Sequence, residues 1–516
     1  MMTSITYKEI FCKGSKVYMI GIKGSGMCAF AEILKKNGVI VSGSDTADVF
    51  YTDAILKELD IPYHEGFSAS NVPSDADIIV HSAAYSSKTN CELARANELH
   101  YYVLKYTDAL GAYSLLFDST GISGVHGKTT TTAMAGVVAR AMELKAQVLV
   151  GSAVGNFSAS NDVCKPQADG ITDHGHCALT LGGDYFIAET CEYRKHFMAF
   201  YPEQIVLTSV ESDHQDFYPT YNSIRDAFVE YVNKLPRKGT LIYCADDKGA
   251  SEVASIAKKK RKDIIFVPYG FTALGKYKII NYKCENERST FNIEGFSITF
   301  SLQVSGRHNV LNACAAFALC SILAEKSGIK KDQLFAKQQD AIVELGKFIG
   351  SKRRQEILGT VDLSGSICGE KKDTPSGNGS GILFMDDYAH HPTAIKTTLN
   401  GIRSFYPNRR IVVSFMPHTY TRTQSLLDDF ADSFKDADVL FLHKIYPSAR
   451  EVYTGGIDGR ALFEKTKSKF SGTIFYEENP IDAAAFLKTF LKDGDLFITM
   501  GAGDNWTLGR KLFSEI

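Results

Sequence analysis

The chain has 516 residues, enough for two to four domains that each bury a core without disulfide or metal staples. Its 57 basic and 59 acidic side chains leave a net charge of -2, so no global field recruits nucleic acid or an anionic membrane. No apolar run in the sequence approaches the roughly 20 residues of a spanning helix, which argues against membrane insertion, and the 11 cysteines include no Cys-x-x-Cys pair, which fits a reducing cytoplasm better than a disulfide framework.

The N-terminus runs straight into a strand, KVYMIGI, without the basic region, apolar stretch and cleavage site of a secretion signal. Strand-like and helical runs then alternate, as in MCAFAEILKKNG, VIVSG, DIIVHS and NCELARANELH, predicting a Rossmann-like domain over residues 1–112. Its first strand leads into Gly21-Ile22-Lys23-Gly24-Ser25-Gly26-Met27, with Asp45 about twenty residues after the loop, close to a dinucleotide fingerprint. Gly24, Ser25, Gly26 and Met27 at a helix N-terminus would cradle a diphosphate, with Asp45 and Ser82 beside it. Read alone, the loop suggests an NAD-linked dehydrogenase, although a second nucleotide loop at Lys128 makes that reading less economical.

A second α/β series opens near Leu116, predicting a central domain with a mainly parallel sheet over residues 113–343. Its first strand ends in GISGVHGKTTTT, where backbone amides and a helix N-terminus can hold phosphate. Gly124, His126, Gly127, Lys128, Thr129 and Thr130 are candidate ATP-binding residues, with Lys128 at the outer phosphates and the Thr129 hydroxyl on Mg2+. Ile122 stands where the ordinary spacing has glycine, so a common kinase or GTPase pattern fits imperfectly. The later strands YFIAE and IVLTSV deliver Glu189 and His214 to the carboxyl edge of the sheet, giving further ligands for Mg2+. Three short runs from Tyr277 to Val304 predict antiparallel strands on the edge of this unit, before the helix NVLNACAAFALCSILAEKSG.

A third doubly wound, Rossmann-like domain is expected over residues 344–516, from QEILGTVDL through GILFMDD, RRIVVSF and ADVLFLH to DLFITMGAGD. Residues 161–177 and 364–380 are poor in apolar side chains and read as inserted surface loops without a catalytic role.

Several blocks in order resemble the Mur ligase family: Gly124-x-x-Gly-Lys-Thr129, Ala188-Glu-x-x-Glu192, Glu211-Ser-Asp-His214, Gly306-Arg-His-Asn-Val-Leu-Asn312, Gly350-Ser-Lys-Arg-Arg354, Asp386-Asp-Tyr-Ala-His-His-Pro392 and Pro417-His-Thr-Tyr-Thr-Arg422. The resemblance implies ATP-dependent activation of a carboxylate, followed by attack of an amine. It places His308 and Asn309 at the adenine, although Asn309 alone could equally be a helix cap. It makes Arg354, rather than Arg353, the bridge to the ATP phosphates, and sets Asp386 near the nucleotide. Lys128, Glu189, His214, Arg354 and His390 are then the expected catalytic residues. Tyr388, His390, His418 and Arg422 lie at the amino acid, whose carboxylate His418 and Arg422 would hold.

Within the family, Gly24-Ser-Gly-Met27, the Asp-Tyr-Ala-His-His-Pro block and Gly501-Ala-Gly-Asp504 are similar to members that join L-alanine to UDP-N-acetylmuramate. The diphosphate of the amino-terminal loop is then that of the sugar nucleotide. A family member that attaches a preformed peptide to the same sugar nucleotide is the alternative. An NAD-linked oxidoreductase and a nucleotide-binding regulator are the readings outside the family. Some members carry Arg at the position of Thr419 and Asn at that of Ser209.

Overall fold

The computed structural model describes residues 4–158, 175–362, 380–447, 451, 453 and 455–516. Its architecture is α/β, with three sheet-centred units in sequence. The first holds β1 (Lys16–Ile20), β2 (Ile40–Asp45), β3 (Tyr63–Glu65), β4 (Ile78–His81) and β5 (Val103–Lys105). All are parallel, in the order β3-β2-β1-β4-β5. The strand order reverses at β1, so the loop after Ile20 opens into the crevice where α/β sheets bind ligands. The chain does not enter β1 directly: a short helix, Ser4–Ile10, precedes it. Phe11 then packs edge-on against Phe30 and Tyr113, an anchoring that the apolar run of β1 did not announce.

The middle unit contains β6 (Asp118–Ser123), β7 (Ala146–Val154), β8 (His176–Thr180), β9 (Tyr185–Glu189), β10 (Gln204–Leu207), β11 (Thr240–Cys244) and β12 (Ile265–Tyr269), ordered β12-β11-β10-β6-β9-β7-β8. Only the edge strand β8 runs antiparallel. Strand β6 is central, paired in parallel with β10 on one side and β9 on the other. Three strand ends therefore converge on one point. The expected edge strands β13 (Ile279–Glu285), β14 (Arg288–Ile293) and β15 (Thr299–Leu302) instead make a separate three-stranded antiparallel sheet. Phe291 and Phe300 stack across it and pack it on the helix Arg307–Lys326, so it shares the core of the middle unit. That helix is the one described element with the length and composition of a membrane span, but it is mostly buried and forms the unit's core.

The third unit has β16 (Glu356–Val361), β17 (Ile382–Asp387), β18 (Arg410–Met416), β19 (Val439–Leu442), β20 (Thr473–Tyr476) and β21 (Asp495–Gly501), ordered β16-β17-β21-β18-β19-β20. Strand β16 is antiparallel to β17, and the others are parallel. The sheet separates two apolar clusters, one around Ile395, Phe415 and Phe434 and one around Phe384, Phe441 and Phe497. By contrast, one continuous core joins the first two units.

Most of the two segments read as inserted loops lies outside the described residues. The end of the first is not a loop: His176 and Cys177 begin β8, with the Cys177 side chain fully buried. His176 Nδ1 lies 2.9 Å from Glu32 of the first unit, so the segment ends as part of a packed interface.

Candidate active site

The loop after β6 is shaped by two glycines. Gly127 has φ of 83°, and a Cβ there would stand 2.7 Å from Asn312 Oδ1, so a side chain would be both strained and crowded. Gly124 has φ of 141° and sits against Thr208 at the end of β10. Ser209 completes the cradle, its carbonyl accepting from Val125 N at 3.0 Å and its hydroxyl from His126 N at 2.8 Å. The helix Lys128–Ala141 begins immediately, with Thr129 and Thr130 in its first turn, leaving amide N–H groups and the positive end of its dipole at the loop.

Lys128 Nζ donates to Gly124 O at 2.5 Å and to Glu192 Oε2 at 2.8 Å. Burial works against its charge, but Glu192, with Glu189 behind it, more than offsets this and raises its pKa. Glu192 is correspondingly held below the usual carboxylate range: burial opposes ionisation, and Lys128 and His214 outweigh it. Thr129 Oγ1 lies 3.0 and 3.1 Å from the two oxygens of Glu189, one of which also accepts from Gly151 N at 3.1 Å. His214 Nε2 reaches Glu192 Oε1 at 3.3 Å. The expected Thr129, Glu189 and His214 thus fall into two pairs, Thr129 with Glu189 and His214 with Glu192, on either side of the Lys128 side chain's bond to Glu192. The Thr129 hydroxyl and the Glu189 carboxylate are hard oxygen donors of the kind Mg2+ prefers, and the Glu192 carboxylate is taken by Lys128 and His214.

On the other side of the loop, Gly306 caps the helix Arg307–Lys326, so Asn309 is not its cap. Asn309 Nδ2 donates to Ser305 O at 2.8 Å, and its Oδ1 accepts from Asn312 Nδ2 at 3.2 Å. Asn312 also accepts from Thr131 Oγ1, tying this block to the phosphate loop. His308 lies 3.3 Å from Gln355 of the third unit, and burial lowers its pKa to about 4, leaving it neutral near pH 7.

The two adjacent arginines have different work. Arg353 is committed within the third unit, donating to Gly501 O at 2.9 Å and to Asp386 Oδ2 at 3.2 Å. Arg354 lies with its guanidinium 5.1 Å from the centre of the Tyr388 ring. Asp386 also accepts from Thr499 Oγ1 at 2.7 Å; burial raises its pKa to about 6, against the pull of Arg353. Its carboxylate therefore supports Arg353 and the sheet. His390 packs its ring 4.7 Å from Tyr388 and 5.2 Å from His418, and burial, then Arg422 and His418, keep it neutral. Arg422 Nη1 lies 3.1 Å from His418 Nδ1, while Nη2 donates to Asp213 of the middle unit at 2.8 Å. Thr419, between these residues in sequence, sits at φ of 68°, and the short helix carrying Arg422 starts from it.

In the first unit, Gly21 approaches Ser82 so closely that a Cβ would lie 2.8 Å from the serine Cβ. The hydroxyl of Tyr51 donates to Ser25 Oγ at 2.7 Å, Gly26 abuts Tyr106, and Met27 is buried in the helix behind Gly24. Both Asp45 oxygens accept backbone amides, Lys23 N at 2.6 Å and Thr46 N at 2.8 Å. That carboxylate shapes the loop, which weakens the nicotinamide reading, where it would hold a ribose hydroxyl.

The sequence blocks contained Glu192, Glu211, Asp213, Asn312 and His391, but spacing assigned them no individual role. Glu192 lies three residues after Glu189 in the Ala-Glu-x-x-Glu block, which was its available signal. Gln355 carried no such signal, because its contacts to Ser305 and His308 cross between units.

Residues 16–117 match the Mur ligase family, catalytic domain; residues 122–320 match the Mur ligase middle domain; and residues 375–503 match the Mur ligase, glutamate ligase domain. The chain is 47% identical over 504 residues to a UDP-N-acetylmuramate--L-alanine ligase of Treponema pallidum, covering 97% of this chain and 96% of the relative. It is 37% identical to the ligase of the same name from Borrelia garinii, covering 96% and 97%. Its fold resembles the crystal structure of UDP-N-acetylmuramate-alanine ligase from Thermotoga maritima, with a TM-score of 0.72 at 23% identity over 97% of this chain and 98% of that one.

Proposed function

This chain belongs to the Mur ligase family, and we propose that it uses ATP and Mg2+ to join L-alanine to the lactyl carboxylate of UDP-N-acetylmuramate, a step of peptidoglycan precursor synthesis in the cytoplasm. The observation that carries the reading is the array Lys128, Thr129, Glu189, Glu192 and His214 at the end of the middle sheet, faced by Arg422 across the seam with the third unit. Relatives that share nearly the whole chain are named for this reaction. We divide the chain into a sugar-nucleotide domain, residues 1–112, an ATP domain, residues 113–343, and an amino-acid domain, residues 344–516.

In the reaction, the lactyl carboxylate attacks the γ-phosphorus of ATP, forming an acyl phosphate and releasing ADP. The alanine amine then attacks the acyl carbon, phosphate leaves, and the amine loses a proton. Thr129, Glu189 and His214 would hold Mg2+, which would supply Lewis-acid neutralisation of the phosphate charge. The amides of Gly124 to Thr130, Lys128 and Arg354 stabilise the transferring phosphoryl group, a step governed by positioning and electrostatics. Lys128 must exchange its contact with the Gly124 carbonyl for a phosphate oxygen. His308 and Asn309 border the adenine. Gly24, Ser25, Gly26 and Met27 hold the sugar diphosphate beside Ser82, with Asp45 fixing the loop. Tyr388, His390, His418 and Arg422 receive the alanine, its carboxylate at His418 and Arg422.

Mass analysis of the nucleotide product tests the assignment. The expected product is UDP-N-acetylmuramate extended by one alanine; extension only by a preformed peptide would move the chain to the alternative member of the family.

A further inference from the structure

His126 of the phosphate loop, Glu211 after β10, and His391 at the start of the third unit's helix Pro392–Phe405 converge on the seam between the two units. One ligand atom from each lies within 4.8 Å of the others. His126 Nε2 touches Glu211 Oε1 but lacks hydrogen-bond geometry to any partner. His126 and Glu211 thus already form an ion pair, whose proton a bound cation would displace. His391 is 5% exposed, and its Nε2 is buried without a partner, while Nδ1 accepts the Thr393 amide as the helix N-cap. The rings of His126 and His391 are 5.2 Å apart, and Thr393 Oγ1 donates to the second Glu211 oxygen at 2.8 Å. The buried Nε2 of His391 without a partner is costly, and two imidazoles beside a carboxylate are a donor set for a metal ion; His391 coordinates by giving up its contact with the Thr393 amide, either through Nδ1 itself or through Nε2 with the ring proton moved to Nδ1.

We propose that His126, Glu211 and His391 form a site for a zinc-class transition-metal ion, separate from the Mg2+ ligands, that fastens the third unit to the phosphate loop. Two imidazoles and one carboxylate favour zinc, cobalt or nickel over magnesium, which prefers oxygen. Water would complete the shell, and Thr393 orients the carboxylate from outside it. Because the ligands come from two units, the bound ion holds the seam closed. Opening for substrate entry and product release then slows, so Zn2+ inhibits turnover. The site does not depend on which amino acid the chain ligates.

The test uses the full chain stripped by chelator and titrated with Co2+ in the absence of Mg2+ and nucleotide. The expected result is one Co2+ bound per chain, with the visible absorption of a low-coordinate nitrogen and oxygen site, displaced by Zn2+. Glu211→Gln and His391→Asn should weaken binding by more than the roughly 10–100-fold that loss of an outer-shell partner costs. Asparagine keeps the helix cap, so the second variant removes the imidazole with little effect on the helix. His214→Ala should leave the absorption in place. Absence of Co2+ binding by the folded chain, or absorption that survives His391→Asn and disappears in His214→Ala, would overturn the proposal. Circular dichroism melts separate loss of the site from loss of the fold.

Discussion

Arg422 of the third unit donates through Nε at 3.1 Å and Nη2 at 2.8 Å to a single oxygen of Asp213 in the middle unit, and both side chains are less than a tenth exposed. Burial disfavours the Asp213 charge, but Arg422 and His214 overcome this and hold its pKa far below the usual range. The pair fixes the guanidinium with Nη1 turned toward His418, beside His390. It therefore links how the two units meet to how the amino-acid pocket is shaped.

Removing one partner of a buried pair leaves the other charge without compensation, which costs about 3–5 kcal/mol. Asp213→Asn is expected to lower the melting temperature, and Arg422→Ala to do the same. The double variant should lose less than the sum of the two. Additive losses in a thermal-melt cycle would show that the pair is not coupled.

Arg422→Ala should also raise the KM for alanine much more than the KM for ATP, since it removes a contact assigned to the alanine carboxylate rather than to the nucleotide. Asp213→Asn, which keeps the guanidinium but releases it, should have a smaller effect in the same direction. Steady-state kinetics with each substrate varied separately provide the check. Equal rises in both KM values would mean that the seam, rather than the amino acid, is affected.

Glu189 holds Thr129 with both oxygens and is the oxygen-rich part of the expected Mg2+ site. Glu189→Gln should raise the Mg2+ concentration for half-maximal activity by about tenfold or more. Its KM for alanine should stay near that of the parent. A Mg2+ titration unchanged by the substitution would move the ion elsewhere.

His443 is fully buried between the Glu477 carbonyl and the Ser414 hydroxyl, and burial lowers its pKa from the ordinary 6.5 to about 4. As pH falls below 6.5, the unfolded chain takes up this proton while the folded chain does not, so stability is full above 6.5 and declines down to about 4. The ceiling on this contribution is about 3 kcal/mol. His308 adds a loss of the same sign. His443→Gln should flatten the pH dependence of the melting temperature across this window; an unchanged slope would show that the ring titrates in the folded state.

The phosphate loop was legible because glycine, lysine and threonine at close spacing between a strand and a helix meet a local backbone demand. Glu189 and His214 were legible as strand-end residues, since a parallel sheet brings such ends together. The role of Glu192 was not, because it comes from packing Lys128 and His214 against one carboxylate. Asn309 could be read as a cap from residue type alone; Gly306 takes the cap position and leaves Asn309 inside the first turn. Strand β20 is a four-residue edge strand, too short for an alternating pattern to stand out. Asp213, Glu211 and Gln355 act across the seams between units, and no local spacing reports which distant side chain will face them.

The central claim is that one site turns ATP over repeatedly only when both the sugar nucleotide and the amino acid are present. ADP release by the purified chain, measured with UDP-N-acetylmuramate and L-alanine supplied together and singly, tests it most directly. Sustained release is expected only with both substrates and Mg2+, the sugar nucleotide alone giving at most about one ADP per site, and should fall by at least roughly 100-fold in Lys128→Ala. ADP release indifferent to alanine, or undiminished in Lys128→Ala, would contradict the account.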